Sequence, residues 1–241
     1  LEELAALAES IYSKPTRYAT GDDLAFMGLT FAGKQMLHAR SVLRLDLHPD
    51  TVLIVRSMLE GLAQLLWAAR IHQRATLWMA YAHVLDWRRI QERLAAGKRV
   101  GKRVQLANAA VMQSHGPLFA QQRKGGDGYR FNWHGTTQRA IFEEVKGDLL
   151  YQHVYGPFSE WHHWSPGGFG PMLRRTSQGT AFSAKSYVNT VAALSGAFLC
   201  LWQTLDVMET HLGLGHGAAI KAAYRRYMQE ARPRKPRPKE T

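Results

Sequence analysis

Residues 51–71, TVLIVRSMLEGLAQLLWAARI, constrain the fold more than any other stretch. The run is apolar on nearly every side, so it predicts a buried central helix. Yet it carries Arg56 and Glu60 in its middle. Four residues apart, the two share one helix face, a turn apart. Charges on a buried helix are costly unless they are paired or put to use. The question for the rest of the chain is what those two side chains meet.

The flanking segments also read as helices. Residues 1–12 place Leu4, Leu7 and Ile11 on one stripe, and Lys14-Pro15-Thr16 breaks the pattern. Gly21-Asp22-Asp23 offers an N-cap for a helix over 22–45. His48-Pro49-Asp50 turns the chain into the central helix, and Pro49 suits its first turn. A third long helix covers 73–95 and stops at Gly97. A weaker one covers 101–122, with Gly116-Pro117 as a kink or break. Residues 123–128, RKGGDG, read as a loop. Thr136 or Thr137 caps a helix ending near Val145, and a further segment covers 149–163. Residues 164–179 form a structured loop, 182–212 a long apolar helix and 218–231 a shorter basic one. No strand or repeat is expected. The fold class is all-α: one domain of long antiparallel helices over 1–231, then a basic, proline-rich tail, 232–241, expected to be extended or disordered.

Composition narrows the function classes. An apolar share of 46% over 241 residues supports a sizeable core. A single cysteine, Cys200, excludes an intramolecular disulfide and points to a reducing, cytoplasmic setting. The apolar run 191–202 is too short to span a bilayer, and the amphipathic N-terminus lacks a basic leader, so no membrane role is expected. The net charge of +12 gathers in Lys98–Arg103 and again from Arg225 to Lys239. Such clusters fit RNA or another nucleic acid as partner, and fit a solvated tail equally. There is no GxxxxGK[ST] run, no GxGxxG after a strand and no GxSxG elbow, so nucleotide and acyl hydrolysis lack support.

The densest chemistry lies at 151–165, YQHVYGPFSEWHHWS, which packs three histidines, two tyrosines, two tryptophans, Ser159 and Glu160 into fifteen positions. If Pro157 opens a short helix, Ser159, His162 and His163 share a face. Glycines 167, 168 and 170 would let backbone approach a ligand closely. A metal site from His153, Glu160, His162 and His163 is conceivable, although the clean His-Glu-x-x-His form is missing; no metal or cofactor is expected. Arg130, Trp133 and the pair Arg174–Arg175 are candidate nucleic-acid contacts, since charge beside aromatics suits unpaired bases. For Trp133 and its neighbours the alternative is an aromatic anchor for a loop.

These residues resemble a mainly bacterial helical family of unknown function, whose pattern is roughly Tyr-Arg-x-x-Ser-x-x-x-His-x-Ser. Here it reads Tyr155, Gly156, Ser159, His163 and Ser165, with Gly156 in place of the arginine. The family's Arg-x-x-x-Glu pair is matched by Arg56 and Glu60, and its tryptophan by Trp133, so the resemblance covers about residues 25–210. It implies no settled activity. The Arg and His spacing also resembles that of HEPN ribonucleases, small helical bundles that are often toxins or phage-defence effectors and usually dimerise. That resemblance implies metal-independent RNA cleavage and a homodimer. An imidazole would move the 2′-hydroxyl proton while a guanidinium steadies the phosphorane. Arg56 could stand in for the missing arginine, with Glu60 orienting Arg56 or His163, and Tyr155, Ser159 and His162 around them. Two other readings stand beside it: a non-catalytic nucleic-acid-binding or assembly module, and a metal-dependent enzyme using the histidines.

Overall fold

The computed structural model describes residues 1–123 and 126–231; the predicted tail, 232–241, lies outside the described residues. In chain order the elements are α1 (Glu2–Tyr12), α2 (Asp23–Arg44), α3 (Thr51–Arg70), α4 (Gln73–Ala95) and α5 (Lys102–His115). A 3-10 turn, Gly116–Phe119, leads into strands β1 (Ala120–Arg123) and β2 (Gly126–Tyr129). Helix α6 (Gln138–Glu144) and the single turn α7 (Asp148–Leu150) follow. A π-helical turn, Tyr151–Tyr155, then α8 (Gly156–His162) and α9 (Pro166–Phe169) come next, with a 3-10 turn at Gly170–Met172. Strands β3 (Leu173–Thr176) and β4 (Gly179–Phe182), α10 (Tyr187–Leu212) and α11 (Gly217–Glu230) complete it. The all-α reading holds in class. It needs one correction: two antiparallel hairpins are present, β1–β2 and β3–β4.

The chain divides into two compact units rather than presenting one undivided bundle. Of the described residues, the first contains Leu1–Tyr18, Gly28–Leu62 and those from His153 on; the second contains Ala19–Met27 and those of Ala63–Gln152. Helices α2 and α3 contribute to both.

In the first unit the core is built by α3 and α10. Val52, Val55, Leu59 and Leu62 are buried, as are Ala193, Ala197, Leu201, Leu205 and Met208. Removing each large side chain from water contributes roughly 1.5–3 kcal/mol. Gly196 lets α10 come close, because a β-carbon there would lie 2.7 Å from Val55 Cγ1. Buried Gln35 of α2 donates to the Met58 carbonyl at 2.8 Å, tying α2 to α3. Helix α11 stacks on α10 through Phe198–Tyr227 and Trp202–Tyr224, with centroids 4.3 and 4.1 Å apart. Both α3 and α10 are long and apolar enough to cross a membrane by length and composition, which the short run 191–202 did not anticipate. Half of each such window is buried inside the protein, the pattern of core helices.

In the second unit Leu65, Ala68, Val84, Phe119, Ile141 and Phe142 form the core. Thr137 caps α6, accepting from the Ala140 N–H at 3.1 Å. Helix α5 ends at His115, where Gly116-Pro117 starts the 3-10 turn, and β1 pairs with β2 where helix to 122 and a loop over 123–128 were expected.

Candidate functional site

Arg56 and Glu60 come from α3 and form an i,i+4 ion pair, Nη2 to Oε1 3.0 Å. Their side chains keep 19% and 32% of their exposure, so the pair sits at the edge of the core. Arg56 Nε donates to Ser159 Oγ at 3.0 Å, and Nη2 donates to the Tyr155 hydroxyl at 3.1 Å. That hydroxyl donates to Glu60 Oε1 at 2.7 Å. The guanidinium also lies 5.1 Å from the Tyr155 ring centroid, a cation–π distance. Four polar groups from segments about a hundred positions apart thus close one network within the first unit.

The local chain explains the meeting. Pro157 has no N–H to give the His153 carbonyl, and its ring would crowd that carbonyl in a continuous α-helix. The chain widens into the π-helical turn just ahead of it. The predicted segment 149–163 is therefore three pieces, not one. Tyr155 and Ser159 are four residues apart and so present one face to α3. Val154 lies 3.8 Å from the position a β-carbon on Gly196 would take, beside Val55. Trp161 Nε1 donates to Asp50 Oδ1 at 3.0 Å, anchoring α8 to the turn that precedes α3.

Burial, reinforced by the Glu60 carboxylate, pushes the Tyr155 hydroxyl up to about 12, against the weaker pull of Arg56 and Ser159. It is a donor throughout the neutral range and no base. Arg56 keeps one free edge. Nη1 has no hydrogen-bond partner among the described residues and is not sealed from solvent.

The imidazoles do not join this network, contrary to the expectation that Arg56 and Glu60 meet them. His162 and His163 are exposed and touch each other edge to face, centroids 4.9 Å apart. His163 follows Ser159 by one turn, its N–H bonded to the Ser159 carbonyl at 2.9 Å. Ser165 ends the motif with its Oγ buried and unpaired. The expected ligand-facing glycine has another use: a β-carbon on Gly168 would sit 2.5 Å from Trp161 N, so Gly168 seats α9 on the backbone of α8.

The other candidates lie elsewhere. Trp133, 6% exposed in the second unit, donates from Nε1 to Gln64 Oε1 at 3.0 Å and meets Trp67 edge-on at 5.4 Å. It anchors its loop and has no face open for a base. Arg130 spans the same loop: Nη2 donates to the Leu118 carbonyl at 2.8 Å, and its guanidinium lies 5.2 Å from the Phe119 ring centroid. Arg174 and Arg175 are exposed on β3, paired across the hairpin with Ala181 and Thr180. Adjacent on a strand, they point to opposite faces. Among the described residues no three His, Cys, Asp or Glu side chains converge to hold a metal, so His153, Glu160, His162 and His163 do not form a ligand set. No protein-family model, curated protein or solved structure matches the chain.

Proposed function

We propose that the protein is an RNA-directed, HEPN-like ribonuclease in which Arg56 binds phosphate and His163 transfers protons. The observation that carries this is the unpartnered Nη1, among the described residues, of a guanidinium whose other edge is fixed by Glu60, Tyr155 and Ser159. A guanidinium held so firmly offers an anion an oriented donor with little entropy left to lose. His163 caps the same helix one turn past Ser159, and Cβ atoms at about that spacing are about 5–6 Å apart. The ribose 2′-hydroxyl would attack the adjacent phosphorus as the bond to the 5′-oxygen breaks. One imidazole takes the 2′-hydroxyl proton and its neighbour protonates the leaving 5′-oxygen. The products are a 2′,3′-cyclic phosphate and a 5′-hydroxyl, and the step needs no metal. The net charge of +12 supplies sequence-independent attraction to the substrate. A cytoplasmic setting fits the one cysteine, Cys200, a buried free thiol, and the HEPN resemblance adds a homodimer and a toxin or defence role.

Purified protein is expected to cut RNA in the presence of a chelator, and His163→Ala to lose at least about a hundredfold in rate, the usual share of general acid–base catalysis. Intact RNA after incubation with the wild type sinks the ribonuclease reading. One observation favours a second reading, binding without cleavage: among the described residues, no protein group hydrogen-bonds to the His162 or His163 imidazole, and the rings have only their edge-to-face contact with each other to set them. Salt-sensitive RNA binding with no cleavage would select it.

A further inference from the structure

Three helices end in the same backbone closure, with different residues at its demanding position. In this closure the second residue past the cap bonds back five positions and the first bonds back inside it, while the first adopts a left-handed conformation. Helix α4 does this with Gly97 at φ 68°: Lys98 N bonds to the Arg93 carbonyl and Gly97 N to the Leu94 carbonyl. Helix α6 does it with Lys146 at φ 61°. Helix α8 does it with Trp164 at φ 57°: Ser165 N bonds to the Glu160 carbonyl at 3.0 Å and Trp164 N to the Trp161 carbonyl at 3.3 Å. Glycine takes that conformation freely, whereas a bulky side chain is strained there. The tryptophan gains little burial in return, since it is 80% exposed. Its ring is nonetheless braced. Phe169 lies 5.8 Å from it and 4.9 Å from Trp161, whose indole N–H is held by Asp50. An exposed, strained and propped indole next to His163 has no packing account.

We infer that Trp164 is a stacking platform for an unpaired nucleobase, placing single-stranded RNA across His162 and His163. The inference rests on the RNA reading above and adds the substrate class. A base has a π-face of the size an indole offers, and stacking on an aromatic side chain is open only to bases outside a duplex. The left-handed turn throws the ring clear of α8, and the brace removes the entropy that a free indole would lose on binding. Paired RNA cannot use the platform and meets only the protein's charge.

The experiment is fluorescence anisotropy of a labelled 2′-O-methyl RNA of about twelve nucleotides, single-stranded and as a duplex, which cannot be cut by 2′-hydroxyl attack. Trp164→Gly is expected to weaken single-strand binding about tenfold or more, leave duplex binding unchanged, and not lower the thermal midpoint, because glycine relieves the strain. Trp164→Tyr, which restores a ring, is expected to recover most of the binding. Equal losses for single strand and duplex would overturn the platform, as would unchanged binding by Trp164→Gly. A shift in oligomeric mass with Trp164→Gly would assign the ring to a second copy of the chain and also overturn it. Tight wild-type binding without cleavage of ordinary RNA sinks the ribonuclease chemistry and leaves the platform standing. Wild-type cleavage with Trp164→Gly indistinguishable sinks the platform alone.

Discussion

Lysine in place of Arg56 would keep the charge and lose the fork. The guanidinium reaches Ser159 through Nε and both Tyr155 and Glu60 through Nη2. A single ammonium on a flexible stem cannot hold those directions at once. Hydrogen bonds to a charged group contribute more than neutral ones, but this pair is partly wetted, so water replaces some of what is lost. Arg56→Lys is therefore expected to cost about 1–2 kcal/mol of unfolding free energy, read from the denaturant midpoint. An unchanged midpoint would mean that charge alone, without the fork, holds α8 against α3. Tyr155→Phe removes only the hydroxyl that bridges the two charges, and should be the milder change because Arg56 and Glu60 still meet directly.

At the scale of the element, the approach of α10 to α3 sets the site. Gly196→Ala brings a small gain in helix propensity, about 1 kcal/mol. Against this stands a contact of 2.7 Å with Val55 Cγ1 on a side chain that cannot easily rotate away. Overpacking of this kind costs about 1–3 kcal/mol, so the substitution should destabilise on balance. Val55→Ala in the same chain should return part of the loss, and failure of that rescue would argue against this contact. The helices themselves were legible because their signals are local. The spacing in α1–α4, Gly97 and Thr137 each act within a turn or two of the chain. The hairpins were not legible. Their strands are four residues long and have too little alternation to separate from loop, and RKGGDG carries only a turn composition. Phe182 belongs to β4, not α10, because Ser186 caps the helix and accepts from Asn189 N. The Arg56–Glu60 pair followed from a spacing of four. Tyr155 and Ser159 were expected beside it from the resemblance, and they meet it; that the imidazoles stay outside was not legible, because the widened turn before Pro157 sets which side chains of α8 face α3, and no spacing rule anticipates that turn. Trp164 had one usable signal: a tryptophan standing where helices commonly place glycine.

For the whole molecule, stability between pH 5.5 and 7.5 should be governed by two histidines, one in each unit. His38 is held below its ordinary range by burial first and by Lys34 second. His134, edge-on to Trp67 and Trp133, is lowered by burial and by Arg130, against the opposing hydrogen bond with Thr136. The unfolded chain takes up these protons near pH 6.5 while the folded chain resists them. Over that window the unfolded state binds more protons, so stability rises with pH and is lost as pH falls below about 6.5. Burial alone would raise the Glu144 carboxyl, but Arg74, the Trp67 indole and Arg70 together hold it below its ordinary range, away from this window. Denaturation at pH 5.5 should therefore need less denaturant than at pH 7.5. His38→Gln and His134→Gln, each keeping a polar side chain that takes no proton, should each remove part of the difference. Equal midpoints at the two pH values would contradict the lowered proton affinity of the two half-buried imidazoles. Toward alkaline pH the same linkage runs through Tyr155, whose raised hydroxyl favours the folded state below pH 10 and loses that advantage between 10 and about 12. Burial also raises the Tyr12 hydroxyl and the Cys200 thiol, so Tyr155→Phe should remove only its own share of the alkaline limb and leave the acid limb untouched, which separates the network at Arg56 from the two histidines in one titration.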